Sequence, residues 1–377
     1  MALRDPGPDN IAAATAPGLE AASGVREAWR LIWRPRMAFS VLIGLLGIEF
    51  CARLDDYISY RAPLFESYTL DRLYEFDSIG ARGKPYGQYR QWKLNSLGYR
   101  GPELVDGRVR VVCIGASETF GLYEAGGEAY PRRLEEALNA RAGSHRYQVV
   151  NAAYAGLTLG TILKRLPETL DRLHPAVLIY YATPANYIYP PNQESPRTAP
   201  PSTSGFDLRI AESMRTLTKQ VAPPWIMDWY YRWSIERAMK GQPPFNTVPE
   251  EHLEVFRNEL LTLIAQLRNR GVEPVLGTHA TRFANPPTDD DRRMLMVWRK
   301  FYPILSEEGF LDMERRANAI VRQVGRDLNV TVIDAAAELS GQTRYFADFS
   351  HFTTEGAERM GSLLARGVAP VLDRTAR

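Results

Sequence analysis

The sequence predicts an α/β protein: a three-layer α/β/α sandwich with a mostly parallel five-stranded sheet, preceded by one N-terminal transmembrane helix. Three observations predict it. From Val109 onward, short apolar runs alternate with longer helical patterns, the signature of parallel βαβ units. The first run, Val-Arg-Val-Val-Cys-Ile at 109–114, is apolar enough for a buried strand and ends in the turn Gly115-Ala116-Ser117. Ahead of these units, residues 37–48 (MAFSVLIGLLGI) carry no charge.

The elements follow in chain order. Residues 1–24 are rich in Ala, Gly and Pro, bury little, and are expected to be a disordered cytoplasmic N-terminus. Residues 25–54 hold a basic flank and the membrane helix. The run continues to Ala52, and Leu31, Ile32 and Trp33 extend it toward the roughly 20 residues that cross a bilayer. Arg26, Arg30, Arg34 and Arg36 precede it and mark the cytoplasmic flank, which puts the rest of the chain outside.

Two other readings fit such a run. A cleaved signal peptide has an apolar region of this length, but 36 residues precede this one and Glu49-Phe50-Cys51 is a poor cleavage site. A buried core helix is disfavoured by the clustered arginines and flanking tryptophans. Residues 55–108 read as a lead-in containing Asn95-Ser96-Leu97-Gly98-Tyr99-Arg100.

Within 109–377, strands are expected at 109–114, 148–151, 177–182, 273–278 and 330–334. Helices are expected at 129–142, 159–173, 249–270 and 309–328, and from Thr354 to about 369. Residues 187–248 form a long insertion, first proline-rich and then aromatic around Trp225, Trp229 and Trp233. Its aromatics would suit sugar rings, a membrane interface or a small satellite core. Residues 281–292, with Asp289-Asp290-Asp291, read as a solvated loop.

Composition excludes several functions. The 377 residues are 45% hydrophobic and 24% charged, and 46 basic against 44 acidic residues leave +2, so nothing points to nucleic acid. The two cysteines, Cys51 and Cys113, sit in apolar segments, which argues against a disulfide framework and a cysteine metal site. No metal and no cofactor is expected.

The chemistry-bearing residues gather where an open parallel sheet binds ligands, at the carboxyl ends of its strands. Ser117, Asn151, Asn186 and His279 all lie at or beyond predicted strand ends. A serine hydroxyl needs an adjacent base, normally a histidine oriented by a carboxylate. Ser117, His351 and Asp348 fill those roles, the last two from Asp348-Phe349-Ser350-His351. Asp348 also suits a helix cap. His279 lines a pocket or is structural, and Arg100 binds an anion or pairs with a surface carboxylate.

These blocks resemble the SGNH or GDSL hydrolases, over roughly residues 90–372. The family's Gly-Asp-Ser turn looks like Gly115-Ala116-Ser117-Glu118-Thr119-Phe120-Gly121, with alanine in place of aspartate. Its second block looks like Asn151-Ala152-Ala153-Tyr154-Ala155-Gly156, and its Gly-x-Asn-Asp block like Pro184-Ala185-Asn186-Tyr187, where glycine and aspartate are missing. Its Asp-x-x-His is matched by Asp348 and His351. The resemblance implies a Ser117–His351–Asp348 triad and an oxyanion hole of the Ser117 N–H, the Gly156 N–H and the Asn186 amide, unless Gly156 and Asn186 merely serve turns.

The Asn95–Arg100 motif and the preceding membrane helix are similar to membrane-anchored bacterial members associated with surface polysaccharides. The implied protein is an inner-membrane, single-pass serine esterase with a periplasmic catalytic domain. Its substrate would be an acylated glycan or another ester, with the acyl group, most simply acetyl, going to water or to a sugar. A non-catalytic polysaccharide-binding protein on the same fold and a lipid esterase are the alternatives.

Overall fold

The structure is a computed structural model that describes residues 18–125, 127–183, 187–188, 208–209 and 221–375. Helix α1 (Gly18–Tyr60) comes first. It begins inside the stretch expected to be disordered, whose residues 1–17 lie outside the described ones. Residues Arg36–Tyr60 are long and apolar enough to cross a membrane by length and composition, with a mean hydropathy of 1.8 and few buried positions. The end of the helix is docked against the protein instead of being bare. Arg53 pairs with Glu49 at 2.6 Å and donates to the Leu64 carbonyl. The Arg209 N–H reaches Glu49, and the Arg209 guanidinium pairs with Asp56 at 3.3 Å.

The lead-in forms two small antiparallel hairpins, β1 (Tyr74–Phe76) with β2 (Ala81–Gly83) and β3 (Gln88–Tyr89) with β4 (Trp92–Lys93). Asn95 shapes the following turn, since its Oδ1 accepts from the Leu97 and Tyr99 N–H groups and its Nδ2 donates to Pro102. Gly98 turns there at φ +82° against the Gly83 backbone, so a β-carbon at Gly98 would lie 2.3 Å from the Gly83 carbonyl oxygen. This close approach sends Arg100 inward.

The central sheet is parallel, in the order β6-β5-β7-β8-β9, from β5 (Val109–Ile114), β6 (Tyr147–Asn151), β7 (Val177–Tyr181), β8 (Glu273–Gly277) and β9 (Thr331–Ile333). Alternate side chains serve opposite cores, as the two-residue period of a strand requires. Val112, Ile114, Leu178, Tyr180 and Leu276 face one core, with α4 (Leu159–Leu173), α6 (Glu250–Asn269) and α8 (Glu307–Asp327). Val111, Cys113, Ile179, Tyr181 and Val275 face the other, with α3 (Tyr130–Ala142) and α10 (Thr354–Thr375). The strand order reverses beside β5, so the crevice beyond the ends of β5 and β7 is the expected ligand position.

Two sequence expectations are corrected. Residues 281–292 are not a solvated loop, because Thr281 and Arg282 are buried and Asp289 opens α7 (Asp289–Arg299). The acidic triplet occupies the first turn, where carboxylates suit the helix N-terminus. Thr288 and Asp291 exchange hydrogen bonds there in a capping box. In the insertion, α5 (Pro224–Met239) buries only Ile235, while Trp225, Trp229 and Trp233 are exposed. These aromatics are therefore not a satellite core. Between α8 and α10 lies the short α9 (Ala335–Leu339).

Candidate active site

Strand β5 delivers the candidate nucleophile. Gly115 must be glycine, since a β-carbon there would lie 2.2 Å from Thr119 Oγ1. Ser117 then begins the single-turn helix α2 (Ser117–Phe120), which Gly121 ends at φ +84°. Arg100 braces that end from below. Its buried guanidinium donates to the carbonyls of Phe120, Gly121 and Glu124. Arg100 is therefore buried on backbone carbonyls and does not pair with a surface carboxylate. Asn151 does related work, with its amide donating to the Thr119 carbonyl at 2.8 Å.

The second half comes from the loop before α10. Asp348 holds His351 in two ways, accepting from the His351 N–H at 3.0 Å and bonding Nδ1 at 2.8 Å. Tyr123 donates to the same carboxylate at 3.1 Å, and its ring meets the His351 ring edge-on at 5.6 Å. With Nδ1 engaged by the carboxylate, Nε2 is the acceptor nitrogen. Among the described residues it has no hydrogen-bond partner. Asp348 thus contacts the imidazole directly and is not a helix cap, since Thr353 Oγ1 accepts from the Gly356 N–H at the start of α10.

Burial disfavours a charged His351, yet the hydrogen bond to Asp348 and then the charge of Glu118 outweigh it and raise its pKa. Asp348 is lowered, because the same bond to His351 overcomes its own burial.

Ser117 and His351 are brought together through their neighbours. Ser350 Oγ donates to Glu118 Oε1 at 2.9 Å, tying the histidine loop to the nucleophile turn across 232 residues of sequence. The Ser117 hydroxyl itself donates to Glu118 Oε2 at 3.2 Å and does not reach His351. Such bonds are often loose in unliganded enzymes and tighten on substrate.

Glu118 is buried and faces His279 Nε2 at 3.7 Å, while His279 Nδ1 meets Glu314 at 2.8 Å. Burial opposes the His279 imidazolium, but the charge of Glu314 and the facing Glu118 raise its pKa to about 10. Glu118 is held well below the usual carboxylate range, its burial overcome by His279 and then His351. Of its two readings, His279 is therefore the structural one, buried between two carboxylates. Glu124 behaves oppositely, as burial raises its pKa to about 7 against the opposing charge of Arg100.

Gly156 follows β6 at φ +83°, a conformation that favours glycine. No acceptor among the described residues takes its N–H. Asn186 lies outside the described residues. The sequence reading missed Glu118, Tyr123, Glu124, Glu314 and Ser350. Glu118 and Ser350 sit within the quoted motifs, and a carboxylate beside the nucleophile was the available signal. Glu314, in the middle of a helix, gave none.

The fold and the family match are those of a GDSL-type hydrolase acting on esters. The chain belongs to the GDSL-like lipase/acylhydrolase family, which it matches over residues 113–359. Among solved structures it is similar to the lipase/acylhydrolase from Enterococcus faecalis, at 19% identity and a TM-score of 0.42, covering 70% of this chain and 96% of that one. It is also similar to a catalytic mutant of the acetylxylan esterase Axe2 from Geobacillus stearothermophilus, at 13% identity and a TM-score of 0.41, covering 71% and 94%. A comparison with curated proteins returns no match.

Proposed function

We propose that the chain is a membrane-anchored serine esterase that removes O-acyl groups, most simply acetyl, from a bacterial surface glycan. The observation that carries the reading is the Asp348–His351 pair, with Nε2 unengaged, tied through Ser350 and Glu118 to the Ser117 turn.

In this reading Ser117 Oγ attacks the acyl carbonyl while its proton passes to His351 Nε2. Asp348 stabilises the imidazolium, and the Ser117 and Gly156 N–H groups with the Asn186 amide receive the oxyanion. The tetrahedral intermediate collapses, the sugar hydroxyl leaves with the proton from His351, and water repeats the cycle on the acyl-enzyme. A residual amide from Asn186 is worth on the order of a hundredfold to a thousandfold in rate. The Asn186 block lacks the family's glycine and aspartate.

The glycan assignment draws on the exposed indoles of Trp225, Trp229 and Trp233 on α5, which suit stacking against sugar rings. The anchor reading draws on the apolar stretch Arg36–Tyr60 of α1; Arg26, Arg30 and Arg34, ahead of it in the same helix, favour a cytoplasmic N-terminus and an extracytoplasmic domain over residues 109–377, joined by the 55–108 lead-in.

The test is release of nitrophenol from acetyl and longer acyl esters by the full chain in detergent. Ser117→Ala and His351→Ala are each expected to lose at least about a thousandfold. Undiminished turnover in both variants would overturn the Ser117–His351 assignment, and no release by the wild type would overturn the esterase reading. A preference for long acyl chains would replace glycan acetyl with lipid.

A further inference from the structure

We propose that Glu118 is a second carboxylate of the active site, anchored by His279 and Glu314. It joins the Ser117 turn to the His351 loop and stabilises the imidazolium formed when His351 takes the serine proton. The proposal rests on the Ser117–His351 reading above and adds to it a group outside the triad.

Geometry makes the case. One carboxylate serves three partners: Oε2 accepts from Ser117 Oγ at 3.2 Å, Oε1 accepts from Ser350 Oγ at 2.9 Å, and the same Oε1 faces His279 Nε2 at 3.7 Å. Ser350 precedes the base and Ser117 is the nucleophile, so one side chain touches the nucleophile and the residue next to the base. Glu118, His279 and Glu314 are all buried. A buried carboxylate without a cation is costly, and His279 supplies that cation. His279 is in turn fixed by Glu314 at 2.8 Å and by Asn318, which accepts from the His279 N–H at 2.7 Å and donates to its carbonyl at 2.8 Å. His279 and Glu314 are therefore positioning residues, and Glu118 contacts a reacting atom.

The charge lies where the reaction needs it. Attack by Ser117 turns a neutral His351 into an imidazolium. The ionisable groups facing His351 are Asp348 on its own loop, Glu118 on α2, and Tyr123 and Glu124 on the segment after α2. Glu118 is the one of these that also accepts from the Ser117 hydroxyl.

The experiment follows Ser117 itself. A fluorophosphonate forms a Ser117 Oγ–P bond as the P–F bond breaks, fluoride leaves and the proton passes to His351. Its rate, read by mass spectrometry on the full chain in detergent from pH 5 to pH 9, needs no natural substrate. Labelling rises as His351 loses its proton.

Glu118→Gln keeps the shape and removes the charge, so the rise is expected to move to lower pH by about one unit. The plateau rate is expected to fall about tenfold as the two loops lose register. Because Glu124 titrates at about 7, Glu124→Gln is run beside it. His279→Gln leaves Glu118 buried without a cation and is expected to lower the melting temperature. The double variant Glu118→Gln/His279→Gln, with both charges gone, is expected to recover part of it.

An unmoved pH profile in Glu118→Gln, with only a lower melting temperature, would overturn the role and leave Glu118 structural. A profile that moves only in Glu124→Gln would do the same. Labelling that persists in Ser117→Ala would instead remove the serine reading, and this proposal with it. Labelling lost in Ser117→Ala but unchanged in profile and rate by Glu118→Gln would sink the Glu118 role alone.

Discussion

Helix α8 carries two ion-paired acids or bases two turns apart, and they behave differently. In its middle, Glu314 meets His279 in a buried site beneath the nucleophile turn. Further along, Arg322 grips Asp334 with two bonds, at 2.7 and 2.8 Å, on the open end of β9. The outer pair has the better hydrogen-bond geometry, but its side chains are 35% and 37% exposed, against 1% and 8% for the inner pair. Geometry alone therefore does not rank them. Exposed pairs contribute little because water already solvates both charges, whereas breaking a buried pair strands a charge that nothing solvates.

The largest expected effect breaks the inner pair. His279→Ala leaves two buried carboxylates without their cation and is expected to cost about 3–5 kcal/mol in urea unfolding. A cost near that of Arg322→Ala would erase the contrast between the two ends of α8. Next in size is Arg100→Ala, which removes a buried guanidinium from the carbonyls behind α2. About 2–3 kcal/mol of stability and much of the Ser117 labelling rate should go together. Loss of stability with a normal rate would show that α2 keeps its place without Arg100.

The pH dependence separates the two pairs by sign. His279 is raised from its ordinary 6.5 to about 10 in the folded state. Its contribution is thus full below about 6.5 and is lost as pH rises toward about 10. Asp334 is lowered by Arg322, so the outer pair contributes above the ordinary carboxylate pKa and fades as pH falls through the lowered value. Melting curves of His279→Gln should therefore lose the alkaline slope of the wild type, and the part of the acid slope that Glu118 owes to His279, while keeping the part that Asp334 owes to Arg322. An unchanged alkaline slope would mean that His279 is not the group responsible.

The smallest effect belongs to the outer pair. Arg322→Ala is expected to cost less than about 1 kcal/mol and to be masked further by salt. A larger, salt-insensitive loss would mean that Asp334 also holds the strand end, through the hydroxyl of Thr278 that donates to it at 2.8 Å.

Local chemistry decided how much of this was legible. The five strands and the helices behind them were readable because each buries its own period of apolar residues, and the structure moves their ends by a residue or two except in the last helix, which runs six residues past its expected end to Thr375. The Asp348–His351 pair was readable because it lies within four residues, so one loop conformation makes the bond. The 281–292 segment misled because an acidic triplet looks solvated when read as composition, while its position after Thr288 makes it a helix start. Arg100 misled because an arginine in a loop is ordinarily a surface group. Here the turn of Asn95 and Gly98 directs it beneath α2.

By itself, then, the sequence determined the α/β class, the order of its strands and helices, the apolar N-terminal helix, and the serine turn and the aspartate–histidine loop. Each is encoded by neighbours along the chain. Only the tertiary structure decided that Glu118, His279, Glu314 and Ser350 meet under that turn. They come from α2, the end of β8, α8 and the last loop, and their charges have consequence because the packed sheet and helices exclude water around them.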